Sequence, residues 1–221
     1  MQIAVLSQPV QPKPPLVSGT PLIAAAVLAV WFALVVALGA DGVFVSPPGA
    51  LPLPIAAAVS APVIAFLLAL RLSRRFRQLV LSIDLRLTVG IQAWRFAGFG
   101  FLALYAYGVL PGMFALPAGI GDIAIGVTAP WLLLALGRRP RFAISRTFVA
   151  WNLLGVLDLV VAVCTGVLGS VLALGVPGEL TMRPMAELPL VLIPGFLVPV
   201  FVMLHLAAWL QIRRAAAMQP G

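Results

Sequence analysis

Charge is the scarcest property of this chain. Only 9% of its 221 residues are Asp, Glu, Lys or Arg, and cysteine, histidine and lysine occur once each. An ordinary water-soluble domain carries about a quarter of its residues charged, so a soluble fold of this composition is excluded. The single cysteine, Cys164, rules out an intrachain disulfide framework and a thiolate metal site. Inside an apolar stretch it reads as a small packing residue. The single histidine, His205, rules out a haem held by two histidines of one chain. It also falls short of the three protein ligands of a catalytic zinc unless Asp122 and Asp158 converge on it. No metal and no cofactor is expected.

Acids are scarcer than bases, six against fourteen, for a formal charge of +8. In a soluble protein that balance would point to nucleic acid. Here the bases sit at the ends of apolar stretches, and no basic face with interleaved aromatics lies outside them. No nucleic-acid partner is expected. Thirteen of the fourteen bases are arginine, in an Ala-, Gly-, Leu- and Val-rich chain. That skew suggests a GC-rich bacterial genome, and hence a bacterial plasma membrane.

What is abundant is apolar: 62% of the residues, gathered into stretches at 21–40, 54–72, 87–110, 114–137, 144–168 and 188–211. Crossing the hydrocarbon core takes about 20 apolar residues. Lipid offers the backbone no hydrogen bonds, so a span is either a helix or part of a closed barrel. Barrel strands would alternate in polarity, whereas these stretches are apolar on every side. The expected fold is all-α, with six transmembrane helices in a bilayer. Residues 21–212 form the bundle. Residues 1–20, with Pro9, Pro12, Pro14 and Pro15, form a tail expected to be disordered, and 213–221 form a short second tail. The first apolar run exceeds the roughly 7–15 residues of a signal-peptide core and reads as an uncleaved helix.

Orientation follows from the arginines. Arg71, Arg74, Arg75, Arg77 and Arg86 separate the second and third spans, and Arg138, Arg139, Arg141 and Arg146 the fourth and fifth. Arg213 and Arg214 follow the sixth, so with Lys13 twelve of fourteen bases fall on one side of a six-span chain. Both termini are expected in the cytoplasm. A weak repeat accompanies this: Val59-Ser60-Ala61-Pro62 returns as Val127-Thr128-Ala129-Pro130, and Leu51-Pro52-Leu53 as Leu188-Pro189-Leu190. Pro62, Pro130 and Pro199 lie 68 and 69 residues apart, which suggests three helical hairpins. Pro194 and Pro199 predict a kink in the sixth helix.

Ionisable residues inside a span cost at least about 2.5–3.5 kcal/mol on insertion scales, and mark a functional site by default. This chain puts Arg95, Asp122, Asp158 and His205 there, with Gln92 and Asn152 as neutral companions. At about 1.5 Å rise per residue, Asp158 lies near the midplane and Asp122 roughly 6 Å to the outer side. Gln92, Arg95, Asn152 and His205 fall in the cytoplasmic half. Arg95 is level with Asp158, and a stretched side chain approaches Asp122. Small residues surround each acid: Ala118, Gly119, Gly126 and Ala129 in the fourth span, Gly155, Ala162 and Thr165 in the fifth. Such faces let helices approach closely, so both acids are expected to point inward. His205 is expected to bond Asn152 or a backbone carbonyl, or to join a proton relay.

Gly119-Ile120-Gly121-Asp122 reads G-x-G-D, which resembles the motif of presenilin-type proteases and type IV prepilin peptidases. The resemblance implies two aspartates that activate a water, here Asp122 and Asp158. The order of the two acids is reversed relative to that family, and Pro117-Ala118 is followed by Gly119 instead of leucine. Neither a G-x-S-G motif, a P-loop, a Rossmann fingerprint nor a Cys/His cluster occurs. The leading reading is a small transporter or channel-like protein for a proton, ion or small polar solute, using Arg95, Asp122, Asp158, His205, Asn152 and Gln92. A scaffold, sensor or assembly subunit comes second, and an enzyme acting on a lipid or apolar substrate third. The many glycines are compatible with a homo-oligomer.

Overall fold

The computed structural model describes residues 20–217. The fold is all-α, with no strand among the described residues. Six helices are long and apolar enough to cross a bilayer, as those of an integral membrane protein are. We number the helices α1 (Thr20–Ala40), α2 (Leu53–Leu72), α3 (Arg74–Ser82), α4 (Leu85–Ala106), α5 (Gly112–Arg138), α6 (Arg146–Val171) and α7 (Ile193–Ala217). All but the short α3 answer to the expected spans. The proposed tail at 1–20 lies outside the described residues except for Thr20, and residues 218–221 of the second tail lie outside them too. Residues 213–217, expected as tail, continue α7 as helix.

Local chemistry sets the helix ends. Ser73, Asp84 and Ser145 cap α3, α4 and α6, each side chain accepting from a backbone N–H of the first turn at 2.9–3.2 Å. α1 and α4 close over Gly42 (φ 68°) and Gly108 (φ 65°), a left-handed conformation costly for other residues. There Val43 N donates to Leu38 O at 3.1 Å and Val109 N to Leu104 O at 2.8 Å. This closure ends α4 at Ala106, four residues before the expected boundary.

Three local features depart from the sequence expectation. α3 lies within the arginine-rich connection: Val80 is buried while Arg74, Arg75 and Arg77 are exposed. Its arginines outweigh the helical spacing of Phe76, Leu79 and Val80 in any hydropathy average. α4 is α-helical over Leu85–Gln92, tightens to a 3-10 helix over Ala93–Gly98, and resumes over Phe99–Ala106. α7 begins at Ile193, five residues late: residues 188–191 form turns, and Pro194 lacks the N–H that would carry a regular ladder back over them. It opens with a π turn over Ile193–Leu197 around Pro194, where the sequence predicts a kink.

α5 is the centre of the bundle, flanked by α4 and α6, with α7 against α6 and α4. α2 packs on α7, and α1 meets the start of α7, where Trp31 and Phe32 abut Phe196 at 4.8 and 5.4 Å between ring centroids. Two of the four apolar clusters in the interior bracket the polar residues. Val89, Ile125, Leu132, Phe148 and Trp151 lie toward the arginine-rich end. Phe101, Leu110, Phe114, Met182 and Met185 lie toward the other. The polar residues sit between them. Cys164, expected as a packing residue, is exposed on the outer face of α6.

Candidate functional site

Arg95 sits on the 3-10 segment of α4, and its side chain is fully buried against α5 and α6. Glycines create the room. A methyl group on Gly126 would strike the backbone of Arg95 and Phe96. One on Gly98 would come within 2.6 Å of Asp122 Cβ and 2.8 Å of Gly119 O. Close approach of this kind is how helices associate where lipid supplies no hydrophobic drive. It brings the base of the Arg95 side chain directly onto α5.

The guanidinium then fills three roles. Nε donates to Asp122 Oδ1 at 2.7 Å, and Nη2 donates to Asp158 Oδ2. The Nε–Nη2 edge, which a single carboxylate takes in a bidentate pair, is thus divided between two acids from α5 and α6. Nη1 donates to Gly155 O at 3.2 Å and faces His205 Nε2 at 3.2 Å. The Phe201 ring lies 5.9 Å from the guanidinium carbon, within cation–π range. With both carboxylates ionised, one negative charge is in excess.

His205 is held from behind. Its Nδ1 lies 3.0 Å from Asn152 Oδ1, while Asn152 Nδ2 donates to the His205 carbonyl at 3.3 Å. Gln92 Nε2 donates to Phe201 O at 3.3 Å, and Gln92 Oε1 is buried without a partner among the described residues. Trp151, stacked on Phe148, donates its Nε1–H to Thr128 Oγ1 at 2.9 Å just beyond. The structure therefore gathers Arg95, Asp122, Asp158, His205 and Asn152 into one network and sets Gln92 beside it. Arg95 reaches both acids, the deeper and the shallower, because α4 narrows where it meets α5.

The glycines of G-x-G-D have packing roles. Gly119 faces Gly98 and Leu102, and a methyl on Gly121 would collide with the Asp158 carboxylate. Gly155 does the same for the His205 ring. Both acids are tied to Arg95, whereas the presenilin-type arrangement has them act on a water. No group of His, Cys, Asp and Glu among the described residues converges as metal ligands do. His205 and the acids occupy different edges of the guanidinium. Sequence reading missed Gly98, which shares a helix face with Arg95 three residues earlier. It had no means of finding the Phe201 and Gly155 carbonyls, which carry no side-chain signal.

Asp122 is the exposed end of the network, with 18% of its side chain accessible. It borders two recesses. One, of about 70 Å³, lies between α2, α6 and α7 and is lined by Ile55, Val59, Ala162, Gly166 and Met182. The other, of about 410 Å³, is a groove between α1, α4 and α7 that includes Leu28, Trp94, Phe196 and Val200. Phe101 and Ile193 line both and stand between them, with Asp122 the one polar residue common to the two.

No curated protein and no solved structure matches this chain. A family model described as a domain of unknown function (DUF8737) matches residues 52–213, which hold the whole network and every spanning helix except α1 and the last turn of α7. The chain belongs to that family.

Proposed function

We propose that this protein is a small transporter or channel-like protein of a bacterial plasma membrane, moving a proton, an ion or a small polar solute. Both termini lie on the cytoplasmic side in this reading, following the arginine asymmetry, and the proline spacing supports a grouping into three hairpins. One observation carries it: two carboxylates share one guanidinium edge inside an apolar bundle, and one of them borders cavities on two sides. Such a pair has one negative charge more than Arg95 neutralises. A proton or cation arriving at Asp122 supplies the missing charge and weakens its hold on Arg95. The guanidinium is then free to favour Asp158 and His205. The 3-10 segment of α4 and the π turn of α7 flank this point and provide the hinges.

The test is flux in reconstituted vesicles, read with an internal pH dye and with radiolabelled cations. Asp158→Asn and Asp122→Asn should each abolish flux while leaving insertion and the thermal transition in detergent nearly unchanged. Flux unaffected by both substitutions would refute the reading. A second reading, a scaffold or assembly subunit, draws on α1 and α2, whose residues are almost all left unburied by the rest of the bundle and so open to a neighbour. It predicts loss of folding, rather than loss of flux, from every conservative change at Arg95 or Asp158.

A further inference from the structure

Two recesses lie at the arginine-rich end, where α2, α3 and α7 meet. One, of about 650 Å³, is lined by Arg74, Arg77, Arg213 and Arg214 with Leu81 and Leu210. The other, of about 440 Å³, shares Arg77, Arg213 and Leu210 with it and adds Arg71, Leu67 and Leu70. Five arginines from three helices thus line two adjoining recesses, together one arginine-rimmed groove with leucines among its lining residues. The groove is built by tertiary contacts. Gln211 Nε2 donates to Val80 O at 3.2 Å and to Ile83 O at 3.0 Å, which ties α7 to the end of α3. Phe76 packs edge-on against Phe66 of α2 at 5.6 Å.

None of these five arginines pairs with an acid among the described residues. The acid nearest in sequence, Asp84, is engaged at the start of α4, accepting from Arg86 N at 2.9 Å. All five are exposed, so their side chains are free to turn toward a common anion. Like charges drawn together by folding repel one another unless an anion joins them. The groove lies at the arginine-bearing ends of helices long enough to cross a bilayer, and leucines lie among its lining residues. Guanidinium forks match phosphate oxygens, and leucines match an acyl chain. We infer that this groove binds an anionic phospholipid, its phosphate among the arginines and the start of a chain along Leu67, Leu70, Leu81 and Leu210. A zwitterionic lipid brings its own cation to the same place and is disfavoured. This inference is independent of transport through the bundle.

The full chain, delipidated in detergent, is titrated with phosphatidylglycerol or phosphatidylcholine and bound lipid is counted by native mass spectrometry. Phosphatidylglycerol should bind at least ~10-fold more tightly, with about fivefold lost per arginine removed. Arg74→Gln/Arg77→Gln/Arg213→Gln should erase the preference. Arg138→Gln/Arg139→Gln/Arg141→Gln, which removes equal charge elsewhere, should keep it. If the first triple variant does not fold, Arg213→Gln alone, at an exposed site, should show the fivefold loss. Equal binding of the two lipids overturns the inference. So does equal loss in the control variant, or displacement of phosphatidylglycerol by inorganic phosphate as readily as by the lipid itself.

Discussion

Asn152 and His205 grip each other twice: the imidazole Nδ1 meets the amide oxygen at 3.0 Å, and the amide nitrogen donates to the histidine's own carbonyl at 3.3 Å. On the far side of the ring, His205 Nε2 faces an Arg95 nitrogen, which can only donate. Nε2 must therefore accept, and the proton resides on Nδ1. Helices α6 and α7 in this way set the tautomer that α4 meets.

The tautomer is directly measurable, because the chain has one histidine. Nitrogen NMR of the imidazole at neutral pH should show a protonated Nδ1 and an unprotonated Nε2. The reverse pattern would mean that the Arg95 contact does not form. Asn152→Leu should lower stability by about 1–3 kcal/mol, the cost of a buried donor left unmatched.

Removing Arg95 strands two carboxylates in a buried site. Arg95→Met should cost about 3–5 kcal/mol in a denaturant or thermal assay in detergent. Adding Asp122→Asn and Asp158→Asn should restore most of that stability, because the remaining groups are neutral. A triple variant no more stable than the single one would show that the arginine acts through packing.

Close approach at glycine makes a contrast within one protein. Gly126→Ala drives a methyl into the backbone of Arg95 and Phe96, atoms that cannot rotate aside, and should cost about 1–3 kcal/mol. Gly100→Ala meets open space within α4 and should be neutral or stabilising by up to about 1 kcal/mol. Equal effects at the two positions would mean that α4 and α5 do not approach so closely.

Beyond α6, the Glu179 carboxylate accepts from Leu174 N at 2.9 and 3.0 Å and from Gly175 N at 2.7 Å. These bonds, the one from Leu174 foremost, hold its pKa below the ordinary 4.5. Folding here favours the ionised form, so the turn's stabilisation is complete above pH 4.5 and fades as pH falls through the lowered value. Hydrogen exchange at the Leu174 and Gly175 amides should be slow at neutral pH and accelerate in Glu179→Gln. Identical exchange in the two proteins would rule the contact out.

Much of this was legible from residues alone. The apolar runs marked α1, α2, α5 and α6 to within a few residues, and the rule that charged groups avoid lipid singled out Arg95, Asp122, Asp158 and His205. α3 escaped because its arginines mask an amphipathic spacing. The start of α7 was misjudged because Pro189 and Pro194 interrupt a stretch whose hydropathy stays high. The G-x-G-D glycines suggested chemistry, whereas their surroundings in the structure are those of close packing.

The linear chain by itself determined that six segments form helices long enough to cross a bilayer, since apolar length and backbone satisfaction are properties of contiguous residues. It also determined which side chains are costly there. Only the tertiary structure decided that one guanidinium serves two acids and a histidine, that Asp122 borders two cavities, and that five arginines ring one groove. A shift of one residue turns a helical side chain by about 100° and moves it about 1.5 Å. Which groups meet therefore depends on the rotation and depth of each helix against its neighbours, and those are settled by glycine contacts between segments far apart in the chain.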